Sequence, residues 1–320
     1  MKPTKNPALT RDALYSKSQV YIRRGLRAQT ENDTEEYQLW ASLALELLGK
    51  AALSKVHPSL VADPLHANSL FAACGRQLSA DIKTITAKTL FERLSHLEKK
   101  FDSRHQKFCE QMALRRNAEL HSGESPFSGM TPVVWEREFW GAIELVLMMQ
   151  GETLESWLGA TDSKAPARII KQATEATKWA VTNRIKRCKD DFEEKFPNKA
   201  KREIEIQRAV SLPWNSSNWD AFDRCECPAC GSLGFVAGDF WDEEIIEKAD
   251  PDHFEDENGD WHTIPGSETV DRIYNVELFD CLICGLRLES TKEIAAGDIS
   301  SEFSKTQVRN REFEPEYGND

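Results

Sequence analysis

The chain has 320 residues, of which 40% are apolar and 29% charged, with nine tryptophans to bury; that is length for two domains and a sizeable core. No run approaches the roughly 20 uncharged apolar residues a membrane span requires; the best, Leu145–Met149, is short and follows Glu144. The opening MKPTKNPALTRD lacks the apolar segment of a secretory signal, so a cytoplasmic protein without a membrane partner is expected.

The net charge of −12 argues against a uniformly basic nucleic-acid binder, but it hides an asymmetry. Residues 1–210 hold 33 Lys+Arg against 27 Asp+Glu, a balance of +6; residues 211–320 hold 8 against 26, a balance of −18. Such a contrast points to two parts with different partners. The composition divides the chain into an N-terminal helical extension (1–30), a helical domain (31–160), a basic helical segment (161–210) and an acidic domain (211–320).

In chain order, Glu36–Leu48 places Leu39, Trp40, Leu43, Ala44, Leu47 and Leu48 at the i, i+3, i+4 spacing of a core-facing helix, with Asn32, Asp33 or Thr34 able to cap it. Further helices are predicted over Leu65–Leu78, Thr86–Leu97 and Asp102–Leu120, the last burying Phe101, Phe108, Met112 and Leu120. Pro126 and Pro132 bracket a loop. Val133–Met149 is the most apolar helix and reads as core or dimer interface. Pro166 suits the first turn of a long helix to Lys195, continuing to Arg208. Its basic residues alternate with Glu175, Asp190 and Asp191, as on a solvated face; RNA contact through Lys178, Arg184, Lys186 and Arg187 is the sharper alternative.

Leu212–Trp219 breaks the helical pattern with Pro, Asn and Ser. Beyond it lie β-like pieces, Leu233–Val236 and Thr269–Leu278. Five of the eight cysteines fall here, and Cys227-Pro-Ala-Cys230-Gly and Cys281-Leu-Ile-Cys284-Gly are two copies of C-x-x-C-Gly. Two thiolates separated by two residues wrap one metal, and the glycine allows the turn to close on sulfur. Two such knuckles make a four-sulfur site for a structural zinc; four thiolates leave no open position for a reacting water. The site looks like a zinc ribbon, although 50 residues separate the knuckles where a compact site has roughly 15–20. The excess is an acidic arm, Asp239–Trp261, expected to loop out as a hairpin or short helix. Cys225 is a poorer substitute ligand, and a disulfide framework is weaker without signs of secretion. Asp252, His253, Glu255, Asp256 and Glu257 match no defined cation loop. Cys74, Cys109 and Cys188 are isolated.

The remaining motif is Arg115-Arg116-Asn117-Ala118-Glu119-Leu120-His121, at a helix end before Ser122-Gly123-Glu124-Ser125-Pro126. Arg116 and His121 lie about 140° apart around a helix, so they share a groove if the helix frays at His121. A fixed cation beside a group that titrates near neutrality is what phosphodiester cleavage needs. This Arg-Asn-x3-His string, the upstream LALELLGKAAL helix and the apolar helix that follows resemble the HEPN domains, over roughly residues 31–160. The fold expected is mainly α: a HEPN-like helical bundle followed by a small zinc-ribbon-like α/β or β domain.

The resemblance implies a homodimer whose two motifs form one cleft, and a metal-independent endoribonuclease. Arg116 would bind the scissile phosphate, Asn117 would orient its neighbours, and His121 would act as general acid or base. Arg115 also fits the spacing, so the choice of arginine is open, and Glu119 would pair with an arginine of either chain. Attack by the ribose 2′-OH would leave a 2′,3′-cyclic phosphate and spare DNA. The resemblance also suggests a toxin or anti-phage effector, with an inhibitory or activating protein partner. Two other readings stay open. Arg116 could be a structural ion pair to Glu119 or a neighbouring helix with His121 capping the helix end, giving a non-catalytic dimerisation scaffold with a zinc-ribbon binding module. Alternatively, the helices form a nucleotide-binding regulatory domain.

Overall fold

The computed structural model describes residues 7–214, 218–255, 258–259, 261–264 and 266–310. The chain divides into two compact units, residues 1–176 and 177–320. The division falls inside a helix, upstream of the compositional break at residue 211.

The first unit is helical: α1 (Arg11–Thr30), α2 (Thr34–Val56), α3 (Ala67–Ala73), α4 (Ala87–Ser95), α5 (Ser103–His121), α6 (Pro132–Met148), α7 (Leu154–Leu158) and the start of α8 (Lys164–Lys195). Asp33 caps α2, its side chain accepting from the Glu36 amide at 2.9 Å. Helices α1, α4, α5 and α6 all pack on α2. It is therefore buried over more than one face, through Tyr37, Ala41, Ala44, Leu45, Leu48 and Ala52. The predicted stripe is displaced accordingly: Leu39, Trp40, Leu43 and Leu47 are only half-buried. Helix α1 packs into the same core through Leu14, Tyr15, Ile22 and Ala28.

Two further helices differ from expectation for local reasons. Helix α3 stops at Ala73, and Gly75, with a φ of +84°, turns the chain so that the Arg76 amide reaches the Phe71 carbonyl at 2.8 Å. A left-handed glycine here ends the helix before Leu78. Helix α5 turns His105, Cys109, Met112, Ala113 and Arg116 inward, whereas Leu120 is exposed. The aromatic residues of α6 are spent within one chain. Trp135, Phe139 and Trp140 are all buried, with edge contacts at 5.4 and 4.8 Å between neighbouring rings. These three rings belong to the core, while Val133, Val134 and Met148 of the same helix are exposed.

The second unit contains the rest of α8, α9 (Lys199–Arg208), β1 (Ala221–Glu226), β2 (Leu233–Lys248), β3 (Asp252–Glu255), β4 (Trp261–Ile264), β5 (Ser267–Asp280), β6 (Arg287–Leu288), α10 (Thr291–Ala296) and β7 (Glu302–Asn310). Helix α8 ends at Lys195 as expected, and the continuation to Arg208 is a separate helix, because Pro197 cannot supply the amide that an unbroken helix needs. The sheet is antiparallel in the order β1-β2-β5-β6, with β7 added to β5. Its buried residues, among them Val236, Val276, Phe279 and Leu288, pack with Val181, Cys188 and Phe192 of α8 and Ile294 of α10.

The acidic arm is β structure. Strand β2 continues past the sheet body and stays paired with β5 as far as Lys248↔Glu268, and β3 and β4 close the tip as a hairpin. The ribbon needs Gly238, where a Cβ would lie 1.7 Å from the Asn275 carbonyl oxygen, at a register shift between the strands. Asp256 and Glu257 lie outside the described residues. Among the described residues, no acidic group of the arm joins a potential metal cluster, and no helix is long and apolar enough to cross a membrane.

Candidate functional site: a four-thiol metal centre and a buried charge cluster

The two C-x-x-C-Gly segments fold alike. In the first, between β1 and β2, the Gly231 amide donates to the Cys227 carbonyl at 2.9 Å and the Cys227 amide to the Ser232 carbonyl at 2.8 Å. In the second, after β5, the Gly285 amide donates to the Cys281 carbonyl at 2.8 Å and the Cys281 amide to the Leu286 carbonyl at 2.9 Å. Gly231 and Gly285 hold φ values of +72° and +77°, which L residues with a Cβ adopt only under strain. Pairing of β2 with β5, which register Phe235 against Asp280, brings the knuckles together although 50 residues separate them in sequence.

The sulfur atoms of Cys227, Cys230, Cys281 and Cys284 all lie within 4.8 Å of one another. Cys227 and Cys284 are 3.6 Å apart, Cys230 and Cys281 3.7 Å. Ligands at about 2.3 Å from a tetrahedral zinc sit about 3.8 Å from each other, so the spacing fits such an ion. It is far from the roughly 2.05 Å of a disulfide, and all eight cysteines are free thiols. Within the cluster, hydrogen bonds from neighbouring thiols, Cys227 first, hold Cys230 down to about 7 and pull Cys281 lower still. Cys227 and Cys284, the donors, are pushed up. A divalent cation would end that competition and let all four ionise. Ser232, fully buried, places its hydroxyl 2.9 Å from the Cys230 sulfur and 3.2 Å from that of Cys281. Sequence reasoning passed over this serine, whose signal is its place directly after the first knuckle glycine. Cys225 stays outside the group on β1, its thiol pushed up to about 11 by burial.

In the helical unit, Arg116 points inward to α2. Its Nη1 donates to Glu46 Oε2, and Nε and Nη2 donate to Asn117 Oδ1 at 3.1 and 2.9 Å. The other Glu46 oxygen accepts from Lys50 Nζ at 2.7 Å, and Lys50 also donates to Thr84 Oγ1 at 3.0 Å. The side chains of Arg116, Glu46 and Lys50 are only 11%, 16% and 9% exposed, so these three charges are largely out of water. Burial alone would raise the Glu46 carboxyl; Lys50 and then Arg116 outweigh it and hold the group below its ordinary range. Two cations therefore share one carboxylate, and the trio carries a net positive charge.

The other motif residues are placed differently. Helix α5 stays regular to its end, with the Ser122 amide on the Ala118 carbonyl at 3.0 Å, so His121 does not fray inward. His121 is exposed, and its ring forms no hydrogen bond among the described residues. Arg115 is half-buried. Glu119 is not the partner of Arg116; its Oε2 is shielded and accepts no hydrogen bond. The structure thus joins Arg116 and Asn117 to each other and to Glu46 and Lys50, and leaves His121 on the surface. Glu46 and Lys50 were legible as two opposite charges four residues apart inside the apolar string LALELLGKAAL, a place where unpaired charge is costly.

Of the basic residues on α8, Lys178, Lys186 and Arg187 are exposed. Arg184 is tied down: its guanidinium grips both Glu293 oxygens at 3.1 and 3.2 Å and donates to the Arg287 carbonyl at 2.8 Å. The first unit also has a cleft of about 690 Å³ lined by Thr10, Arg11, Ser54, Lys55, Gln150 and Glu152. Its cations are engaged, Arg11 with Glu152 at 2.5 Å and Lys55 with the Gln150 carbonyl at 2.5 Å, and no motif residue lines it. Comparison of the chain with protein-family models, curated protein sequences and solved structures returned no match.

Proposed function

We propose that the chain is a metal-independent endoribonuclease of HEPN type, whose second unit is held together by one structural zinc in a ribbon-like site. The observation that carries the nuclease reading is the charge imbalance at Arg116. In a poorly solvated place a charge without a counter-charge is costly, more so than a balanced pair. Here Arg116 and Lys50 share Glu46 alone, and three of the five guanidinium N–H groups of Arg116 are used within the protein. The spare positive charge and spare donors suit a phosphate oxygen.

Chemistry follows from that placement. Glu46 and Asn117 fix the guanidinium plane, so the cation is already oriented when charge builds on the phosphorane. His121, one turn and a half further along α5 and open to solvent, would move the proton to or from the 2′-OH or the leaving 5′-oxygen. A second copy of α5 packed about a two-fold axis would supply the opposing histidine. Leu114 and Leu120, exposed on either side of the motif, suit such a contact.

The zinc reading rests on the sulfur spacing and predicts about one zinc per chain, found by metal analysis of protein purified without chelator. The same ion pair also favours a second reading, in which Arg116 only locks α5 to α2 and the chain is a non-catalytic scaffold. Incubation with mixed RNA in EDTA separates the two. Cyclic-phosphate fragments that vanish with His121→Ala support the nuclease; undiminished cutting by His121→Ala removes the assignment. An association with toxin or anti-phage systems follows the resemblance alone.

A further inference from the structure

Among the tryptophans of the second unit, Trp179 stands out by position. It lies in the middle of α8 with 72% of its surface exposed. The buried side of this helix is marked by Val181, Cys188 and Phe192. At 100° per residue, Trp179 points almost directly away from that side, with Glu175, Asn183, Lys186 and Asp190 on the same stripe and Lys178, Lys189 and Arg187 flanking it. An exposed indole on a well-formed helix gains nothing from the fold.

The charge around it is as distinctive. Residues 178–189, KWAVTNRIKRCK, carry five cations and no carboxylate, beside an acidic region (211–320) that totals −18. Arg184 is neutralised by Glu293. The other four, Lys178, Lys186, Arg187 and Lys189, are exposed, and no ion pair to any of them occurs among the described residues. A flat aromatic face flanked by unpaired cations is the arrangement that holds single-stranded nucleic acid, by stacking on a base and neutralising the phosphates on either side; Glu175 and Asp190 bound the cationic stretch at its two ends.

We infer that this face of α8 binds single-stranded RNA, with one base stacked on Trp179 and the backbone running along Lys178, Lys186, Arg187 and Lys189. The cations span about 16 Å of helix, enough for a few nucleotides. Duplex RNA hides its base faces and would lose the stack. A second copy in a two-fold contact would set the same four cations against each other, so charge disfavours it. The inference rests on the ribonuclease reading only in taking RNA rather than DNA as the ligand.

The test uses the full-length, zinc-containing chain with His121→Ala, so that cutting does not intervene, and a short fluorescent oligouridylate followed by anisotropy. Trp179→Ala should weaken binding about tenfold, Trp179→Phe should keep most of the affinity, and the zinc content and melting temperature of both should match the parent. Lys186→Glu with Arg187→Glu should flatten the dependence of log affinity on log salt by about 0.7 per lost phosphate contact. Oligouridylate binding that is unchanged by Trp179→Ala overturns the proposal. So does light scattering in which Trp179→Ala splits a dimer while RNA binding persists, since the indole would then serve a second copy. Cleavage that depends on His121 while binding ignores Trp179 would sink this surface and leave the nuclease standing; binding that needs Trp179 without any cleavage would do the reverse.

Discussion

The two units solve the burial of charge in opposite ways. The second gathers four thiols from two local turns, each complete within six residues, and its sequence announces them. The first gathers Glu46 and Lys50 from α2, Arg116 and Asn117 from α5 and Thr84 from the stretch before α4. No two of these helices are neighbours in sequence, so no motif records the set. A metal site is written as spacing because one short turn must wrap one ion. A charge cluster between helices is written only as polar residues where apolar ones belong.

That contrast is open to breakage, and the largest effect is expected at the thiols. Cys230→Ser removes one of the four thiols of the proposed zinc site, and a structural zinc is worth about 10–16 kcal/mol of apparent binding in small domains. Near-ultraviolet dichroism should show the second unit unfolded, with most of the helical signal of the first retained and zinc below stoichiometric. A folded second unit in the variant would make the cluster incidental.

Next comes the charge cluster. Glu46→Ala leaves Arg116 and Lys50 buried against each other and should cost about 3–5 kcal/mol in urea unfolding of the first unit. The pH dependence sharpens this. The folded Glu46 carboxyl lies below its unfolded value, so its contribution is fully present above about pH 4.3 and is lost as pH falls through the lowered folded value. Acid unfolding of the parent should therefore include a step that Glu46→Gln lacks. Trp140→Ala should cost a similar 3–5 kcal/mol, from the cavity it leaves in the monomer. Its oligomeric state by light scattering should be that of the parent, because the indole is not at an interface. The smallest effect is at Arg184. Its pair with Glu293 is partly exposed, at 33% and 21%, so Arg184→Ala should cost about 1 kcal/mol or less.

Much of this molecule was legible in the sequence, and the failures share one cause. The cap at Asp33, the helix starts near Thr86, Asp102, Val133 and Pro166 and both cysteine knuckles follow from local chemistry. What misled was context. The stripe on α2 was placed off-centre because four helices pack on α2 and period alone cannot choose a side. The helix Val133–Met149 read equally as core or dimer interface; its Trp135, Phe139 and Trp140 are buried against α2 and within α6. Leu120 was assigned to the core, but the inward place one turn back belongs to Arg116. In the arm from Asp239 the hairpin was one of the forms expected; the sequence did not choose it over a helix, because β2 is held by its ladder to β5 and leaves acidic side chains to water.

The measurement that bears most directly on Arg116 and His121 is single-turnover cleavage of a defined RNA in EDTA-containing buffer, with zinc content checked on the same sample. The parent should cut and leave cyclic-phosphate ends. Arg116→Ala and His121→Ala should each be slower by on the order of 10²-fold or more, and the double variant little worse than the poorer single one. RNA left intact by the parent, or cut equally well by His121→Ala, would contradict the nuclease and leave the helical unit a scaffold.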